Sequence, residues 1–171
     1  MKRKTIIFLI LSLFTVICAA AIFIFSSQNA DTSNDLSRKI TIKIAKILFI
    51  DMDNFDSQLR ETIITQLNMS VRKAAHFIVY FIMGAAAFGT LSVISRKYLR
   101  NGIISVFLSA CYAFTDEIHQ SFIPGRTALE KDIIIDTFGA VLGTVFCFMI
   151  ICTVSHIILM RKNNSSPPSA S

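Results

Sequence analysis

Tryptophan is absent from this chain of 171 residues, and proline and glycine are scarce at 3 and 6. With so few of the strongest breakers, long helices have little to interrupt them. The four cysteines, Cys18, Cys111, Cys147 and Cys152, all lie in apolar runs, and no Cys-x-x-Cys pair occurs. That spacing supports neither a disulfide framework nor a zinc knuckle, and small apolar core residues are the simpler reading. A His-x-x-x-His pair and a Cys/His cluster are both missing, so no metal is expected. Neither a Gly-rich phosphate loop nor a Gly-x-Ser-x-Gly elbow occurs, and no cofactor is expected.

Acidic residues are missing from three short segments: Lys2, Arg3, Lys4; then Arg96, Lys97, Arg100; then Arg161, Lys162. The formal net charge of +6 is carried there, because elsewhere acidic residues outnumber basic ones. These segments flank apolar runs, which fits cytoplasmic loops under the positive-inside rule. A nucleic-acid partner would need a continuous basic face with aromatic stacking groups, and none is visible, so no nucleic acid is expected.

Apolar residues are in excess. At 53% hydrophobic and a mean hydropathy of +0.61, the chain is too apolar for an ordinary soluble domain. Thr5 to Phe25 is long enough to span a bilayer at about 1.5 Å per residue, and no small-x-small cleavage site follows it. It reads as an uncleaved first helix with its N-terminus inside. The fold expected is all-α: an integral membrane bundle of about four transmembrane helices, near 5–25, 72–95, 102–121 and 133–160. One or two amphipathic helices are expected in an external segment over 34–69. The first has Leu36, Ile40, Ile44, Ile47 and Leu48 at helical spacing, with Arg38, Lys39, Lys43 and Lys46 off that stripe. It would lie on the membrane surface or cap the bundle, and packing onto the bundle is the simpler role. The second has Leu59, Ile63 and Leu67 on one face and Asp53 or Asn54 as N-cap. One membrane domain would thus cover 1–162, with 163–171 a disordered cytoplasmic tail. The third span has too short an apolar stretch to cross unless it continues through Asp116 and Glu117, which places both carboxylates inside a helix.

Alternating spans bring Ser26, Ser27, Gln28, Arg72, Lys73, His76, Asp116, Glu117, Gln120, Arg126, Asp132 and Asp136 to one side. Arg72, His76 and Tyr80 share a helix face, as do Asp116 with Gln120 and Asp132 with Asp136. A charge within a span costs roughly 3 kcal/mol or more unless paired or hydrated. Arg72, Lys73 and Arg126 are therefore expected to pair with Asp116, Glu117, Asp132 and Asp136. Either these charges only lock the helices together, or they line a water-accessible pocket at the extracytoplasmic end. His76 and Glu117 are the candidate catalytic groups, and Ser26 and Ser27 read as helix-end hydrogen-bonding residues. His119 reads as facing the interface. No polar residues are expected along the inner halves of the helices, which disfavours an ion path.

Several of these stretches resemble the VanZ-like family of small membrane proteins. They are Phe25-Ser26-Ser27-Gln28, Arg72-Lys73-Ala74-Ala75-His76, and the run from Asp116-Glu117 through Gln120, Phe122, Pro124, Gly125 and Arg126, with Asp132, Asp136, Gly139 and Gly143. Asp136 stands where the family more often has Asn. The resemblance implies a multi-pass cell-membrane protein, and the eponymous member is linked to low-level teicoplanin resistance. Teicoplanin carries an acyl chain and acts outside the membrane near lipid-linked wall precursors. The partners this implies are membrane lipids, a lipid-linked wall precursor or a lipoglycopeptide. Both termini would be cytoplasmic. A binding or accessory envelope protein is the first functional reading, and a membrane enzyme on an outer-leaflet lipid-linked substrate is the second.

Overall fold

The computed structural model describes residues 2–28, 30–49, 54–124 and 130–164. Among them are five helices and no strand: α1 Lys2–Ser26, α2 Ala30–Leu48, α3 Ser57–Ile94, α4 Tyr98–Ser121 and α5 Glu130–Asn164. The fold is all-α, as the apolar periodicity implies. Helices α1, α3 and α5 are long and apolar enough to cross a membrane. Their flanks expose Leu9, Leu13, Ile24, Ile134 and Leu159, as expected where lipid replaces water as solvent.

Helix α3 is the centre of the bundle and touches each of the other four. It is 38 residues long. The separate second amphipathic helix expected over the external segment is instead its first half. Nothing between Ser57 and Met83 is Gly or Pro, so no residue there ends the helix. Its N-cap is Asp56, whose carboxylate accepts from the Gln58 N–H at 3.0 Å. Asp53 lies outside the described residues, and Asn54 is not the cap.

Helix directions follow from who meets whom. Along α3 and α5, Phe77 meets Gly139 and Phe81 meets Gly143, so these two run the same way. Along α1 and α4, Ala19 meets Tyr112 and Ser26 meets Asp116, so these also share a direction. On α1 and α3, Leu11 approaches Gly89 while Cys18 and Ile22 pack with Tyr80 and Met83, which makes that pair antiparallel. The α3–α5 contact is closest. A Cβ on Gly139 would lie 2.6 Å from the Phe77 carbonyl oxygen, and one on Gly84 or Gly143 would run into the Ala140 or Phe81 carbonyl. Only hydrogen at those positions lets the two backbones touch.

Helix α2 packs on α3 through Thr41 and Ala45, both fully buried, against Ile64 and Asn68. The expected apolar stripe is not the contact face, since Ile40, Ile47 and Leu48 are exposed. Small side chains allow the closer approach, and the Thr41 hydroxyl lies 3.1 Å from the Asn68 side-chain oxygen. The Leu36 side chain is outside what is described. Arg38 adds a two-oxygen ion pair to Glu61 at 2.7 and 2.8 Å.

Helix α4 carries Asn101, Ser105, Ser109, Asp116 and Glu117 on its buried face. Ile103, Phe107, Leu108 and Phe114 are exposed on the other. The expectation that the inner halves carry no buried polar residue is thus overturned. These groups hold the helix in place: Asn101 donates to the Ser95 carbonyl at 2.8 Å, pinning the α3–α4 turn, and Ser105 donates to the Asn101 carbonyl at 2.8 Å. Helix α5 continues to Asn164, so residues 163 and 164 of the expected tail are helical, and residues 165–171 lie outside the described part.

Candidate functional site

These directions collect one end of α1, α4 and α5 beside the middle of α3. Ser26 is the last residue of α1 and is fully buried. Its hydroxyl donates to Asp116 Oδ2 at 2.9 Å. Gln120, one turn further along α4, donates from Nε2 to Asp116 Oδ2 at 2.9 Å and to Ser26 Oγ at 3.2 Å. Three polar groups thus close a triangle between two helices. Asp116 was expected to meet a cation. Oδ2 is met by two neutral donors, while its other oxygen, Oδ1, is buried with no partner among the described residues.

Ser27 turns away from that triangle. Its hydroxyl donates to the Phe23 carbonyl at 2.7 Å and lies 3.1 Å from His119 Nε2. A hydroxyl has one proton. With that proton on Phe23, the histidine must donate to Ser27, which is the reverse of a base activating a nucleophile. The His119 ring stacks on Phe23 with centroids 4.8 Å apart.

Across the bundle, α3 faces α5. Lys73 Nζ lies 3.0 Å from Asp132 Oδ1, an ion-pair contact whose angles fall outside hydrogen-bond geometry. His76 Nδ1 lies 3.6 Å from Asp136 Oδ2, one turn deeper, and Asp136 is buried. The expected cation–carboxylate pairing therefore holds for Lys73, and a histidine takes the corresponding place at Asp136. Asp136 Oδ1 has no partner among the described residues.

Tyr80 lies between the two groups. It is fully buried, and Asp116, Asp136 and Glu117 are its electrostatic neighbours. Its ring packs 6.4 Å from Tyr112, whose own hydroxyl donates to the Ala19 carbonyl at 2.6 Å. The Tyr80 hydroxyl has no hydrogen-bond partner among the described residues. One hydroxyl and two carboxylate oxygens are thus buried and unsatisfied in one region, where native structures seldom leave even one.

The structure brings together Lys73, His76, Asp116, Glu117, Gln120, Asp132 and Asp136 at one end. Glu117 is buried and Arg72 half-buried there, each with an interaction of its own. Gln28 closes the turn after α1 through its N–H to the Phe25 carbonyl at 3.4 Å. Arg126, with Gly125 of the turn, lies outside the described residues. Sequence reasoning left Tyr80 and His119 out of the polar cluster and did not separate Ser26, the buried partner of Asp116, from Ser27. The spacing of Tyr80 four residues after His76 was the available signal for the first. Among the described residues, no group of three or more His, Cys, Asp and Glu side chains is placed to hold a metal ion.

The family model described as VanZ/LLP1 matches residues 8–152, most of the chain. No curated protein and no solved structure matches it.

Proposed function

The chain belongs to the VanZ/LLP1 family, and from that premise we propose that it is a multi-pass envelope protein whose polar end binds the headgroup of an amphiphile. The polar end faces outward in this reading, the basic segments and both termini lie in the cytoplasm, and α4 is the fourth span. Helix α2 lies at the outer interface. The ligand is a lipid, a lipid-linked wall precursor or a lipoglycopeptide, and its capture modestly changes susceptibility to teicoplanin.

The observation that carries this reading is the trio of unsatisfied buried atoms, Asp116 Oδ1, Asp136 Oδ1 and the Tyr80 hydroxyl. Each such group costs about 1–3 kcal/mol, and more when charged. A headgroup rich in amine, amide or hydroxyl donors offsets that cost on entering. Lys73 and His76, partly exposed beside it, suit anionic parts of the same ligand.

The test compares teicoplanin and vancomycin susceptibility of a Gram-positive host expressing the chain, an Asp116→Asn variant at equal membrane level, or an empty vector. The expected outcome is protection against teicoplanin that the variant loses. Equal susceptibility of all three strains would remove the resistance role. Full protection by the variant would remove the pocket from it.

The enzyme reading keeps one supporting observation, the His76–Asp136 pair, in which a carboxylate could orient a general base. It predicts a lipid product that appears in cells expressing the chain and disappears with His76→Ala. The binding reading predicts no new product.

A further inference from the structure

Towards the opposite end from the polar cluster, a cleft lies between α4 and α5. The cleft between them has a volume of about 700 Å³ and is lined by Phe88, Tyr98, Gly102, Val106, Thr144 and Phe148 among others. Its walls are almost wholly apolar. The size is that of a small-molecule site. Its outer edge is formed by Leu99, Ile103 and Phe107, which are 82%, 63% and 65% exposed. The cleft therefore opens sideways, towards lipid, when the bundle sits in a membrane.

Two features set it apart from an ordinary gap between helices. The first is its aromatic floor. Phe88, Tyr98 and Phe148 pack on one another with ring centroids 5.7 to 6.4 Å apart. Depth above that floor is kept by Gly102, where a Cβ would stand 3.6 Å from Thr144 Cγ2 and 4.0 Å from Phe88 Cε2. That Cβ would meet side-chain atoms and no backbone within 4 Å, and both atoms belong to residues that line the cleft, so a larger side chain is expected to extend into it.

The second is the charge at its mouth. Arg96, Lys97 and Arg100 are exposed in and just after the α3–α4 turn, with no acidic residue in that segment. Arg100 stands three and seven residues before Ile103 and Phe107, so it lies on the same helical stripe as the cleft edge. Tyr98, which lines the cleft and stands next to Lys97 in the chain, is of a residue type that suits a membrane interface.

We infer that this cleft seats an acyl chain of an anionic phospholipid whose phosphate is held by Arg100 with Arg96 and Lys97. Charge complementarity selects the anionic class, and the apolar sideways opening selects an acyl chain over a soluble anion. The site is independent of the polar end and of whatever binds there.

The test is native mass spectrometry of the full chain, purified in mild detergent and exchanged against equal amounts of phosphatidylglycerol and phosphatidylcholine. The wild type is expected to retain one phosphatidylglycerol, with a preference of about tenfold or more. Arg96→Gln/Arg100→Gln brings the preference to about parity. Gly102→Leu loses the retained lipid, and Gly102→Ala keeps it. Equal retention of both lipids by the wild type, or an undiminished preference in the double arginine variant, overturns the proposal. So does a dimer that takes the place of bound lipid and that Gly102→Leu dissociates. The arginine variant changes only exposed side chains, so the question is answered even where Gly102→Leu does not fold.

Discussion

Ser26 and Ser27 are adjacent, chemically identical and differently used. Ser26 is sealed between α1 and α4 and gives its proton to Asp116, while Ser27 gives its proton to its own helix. Ser26→Ala therefore leaves Asp116 Oδ2 with Gln120 as its remaining donor among the described residues, and a cost of about 0.5–2 kcal/mol is expected, as for interhelical hydrogen bonds in membrane proteins. Ser27→Ala removes an exposed hydroxyl and is expected to cost less than half as much. Thermal unfolding of both variants in one detergent checks the order, and equal losses would mean that the Ser26–Asp116 bond contributes nothing net. Sequence spacing made Asp116 and Gln120 face-sharing neighbours. It could not choose between two consecutive serines, because they point about 100° apart on a helix whose rotation is set by packing. The cation expected for Asp116 illustrates the same limit: pairing rules name charges, whereas the neighbour supplied by α1 is a neutral hydroxyl.

The helices themselves were legible wherever one apolar run filled one element. Helices α1 and α5 follow the expected spans within a few residues. The join between the external segment and the second span was not legible, since a fall in hydropathy near Arg72 looks like a boundary and a helix backbone ignores it. Helix α2 shows the reverse difficulty: its bulkiest apolar side chains are exposed and its small ones packed, and only the partner surface decides that. Small residues carry the α3–α5 contact as well, and two glycines there should behave differently. Gly143→Ala pushes a methyl group into the Phe81 carbonyl and separates the helices, at a cost of about 1–3 kcal/mol or more. Gly89→Ala meets Leu11 and Cys147 side chains at 3.5 and 3.7 Å, ordinary contact distances, and gains helix propensity of up to about 1 kcal/mol. Melting temperatures should fall for the first and hold or rise for the second. A drop of similar size in both would mean that helix propensity and the measured clearance do not govern this interface.

Helix α4 decides how often the chain crosses. Its buried polar face lowers its mean hydropathy, so composition separates it from α1, α3 and α5. Yet α3 and α5 run in the same direction, and if both cross, the chain must return between them. The connection 122–129 cannot make that return: Phe122 and Ile123 still bond back to His119 and Gln120, and the six residues after them reach at most about 22 Å, while the hydrocarbon core is about 30 Å thick. Helix α4, at 24 residues, is about 36 Å long. Its two ends also meet the two ends of the bundle, with Tyr98 against Phe88 and Asp116 against Ser26. The prediction is that Lys97→Cys and Phe122→Cys, both at exposed positions and placed in a background without the four native cysteines, react with an impermeant maleimide from opposite sides of the membrane. Phe122→Cys should label on intact cells and Lys97→Cys only after permeabilisation. Lys2→Cys and Lys162→Cys should both label only after permeabilisation, because an even number of crossings returns the chain to its starting side. Termini on opposite sides, with Lys97→Cys and Phe122→Cys on the same side, would make α4 a non-crossing helix, and the polar end could not then be a single outward-facing pocket.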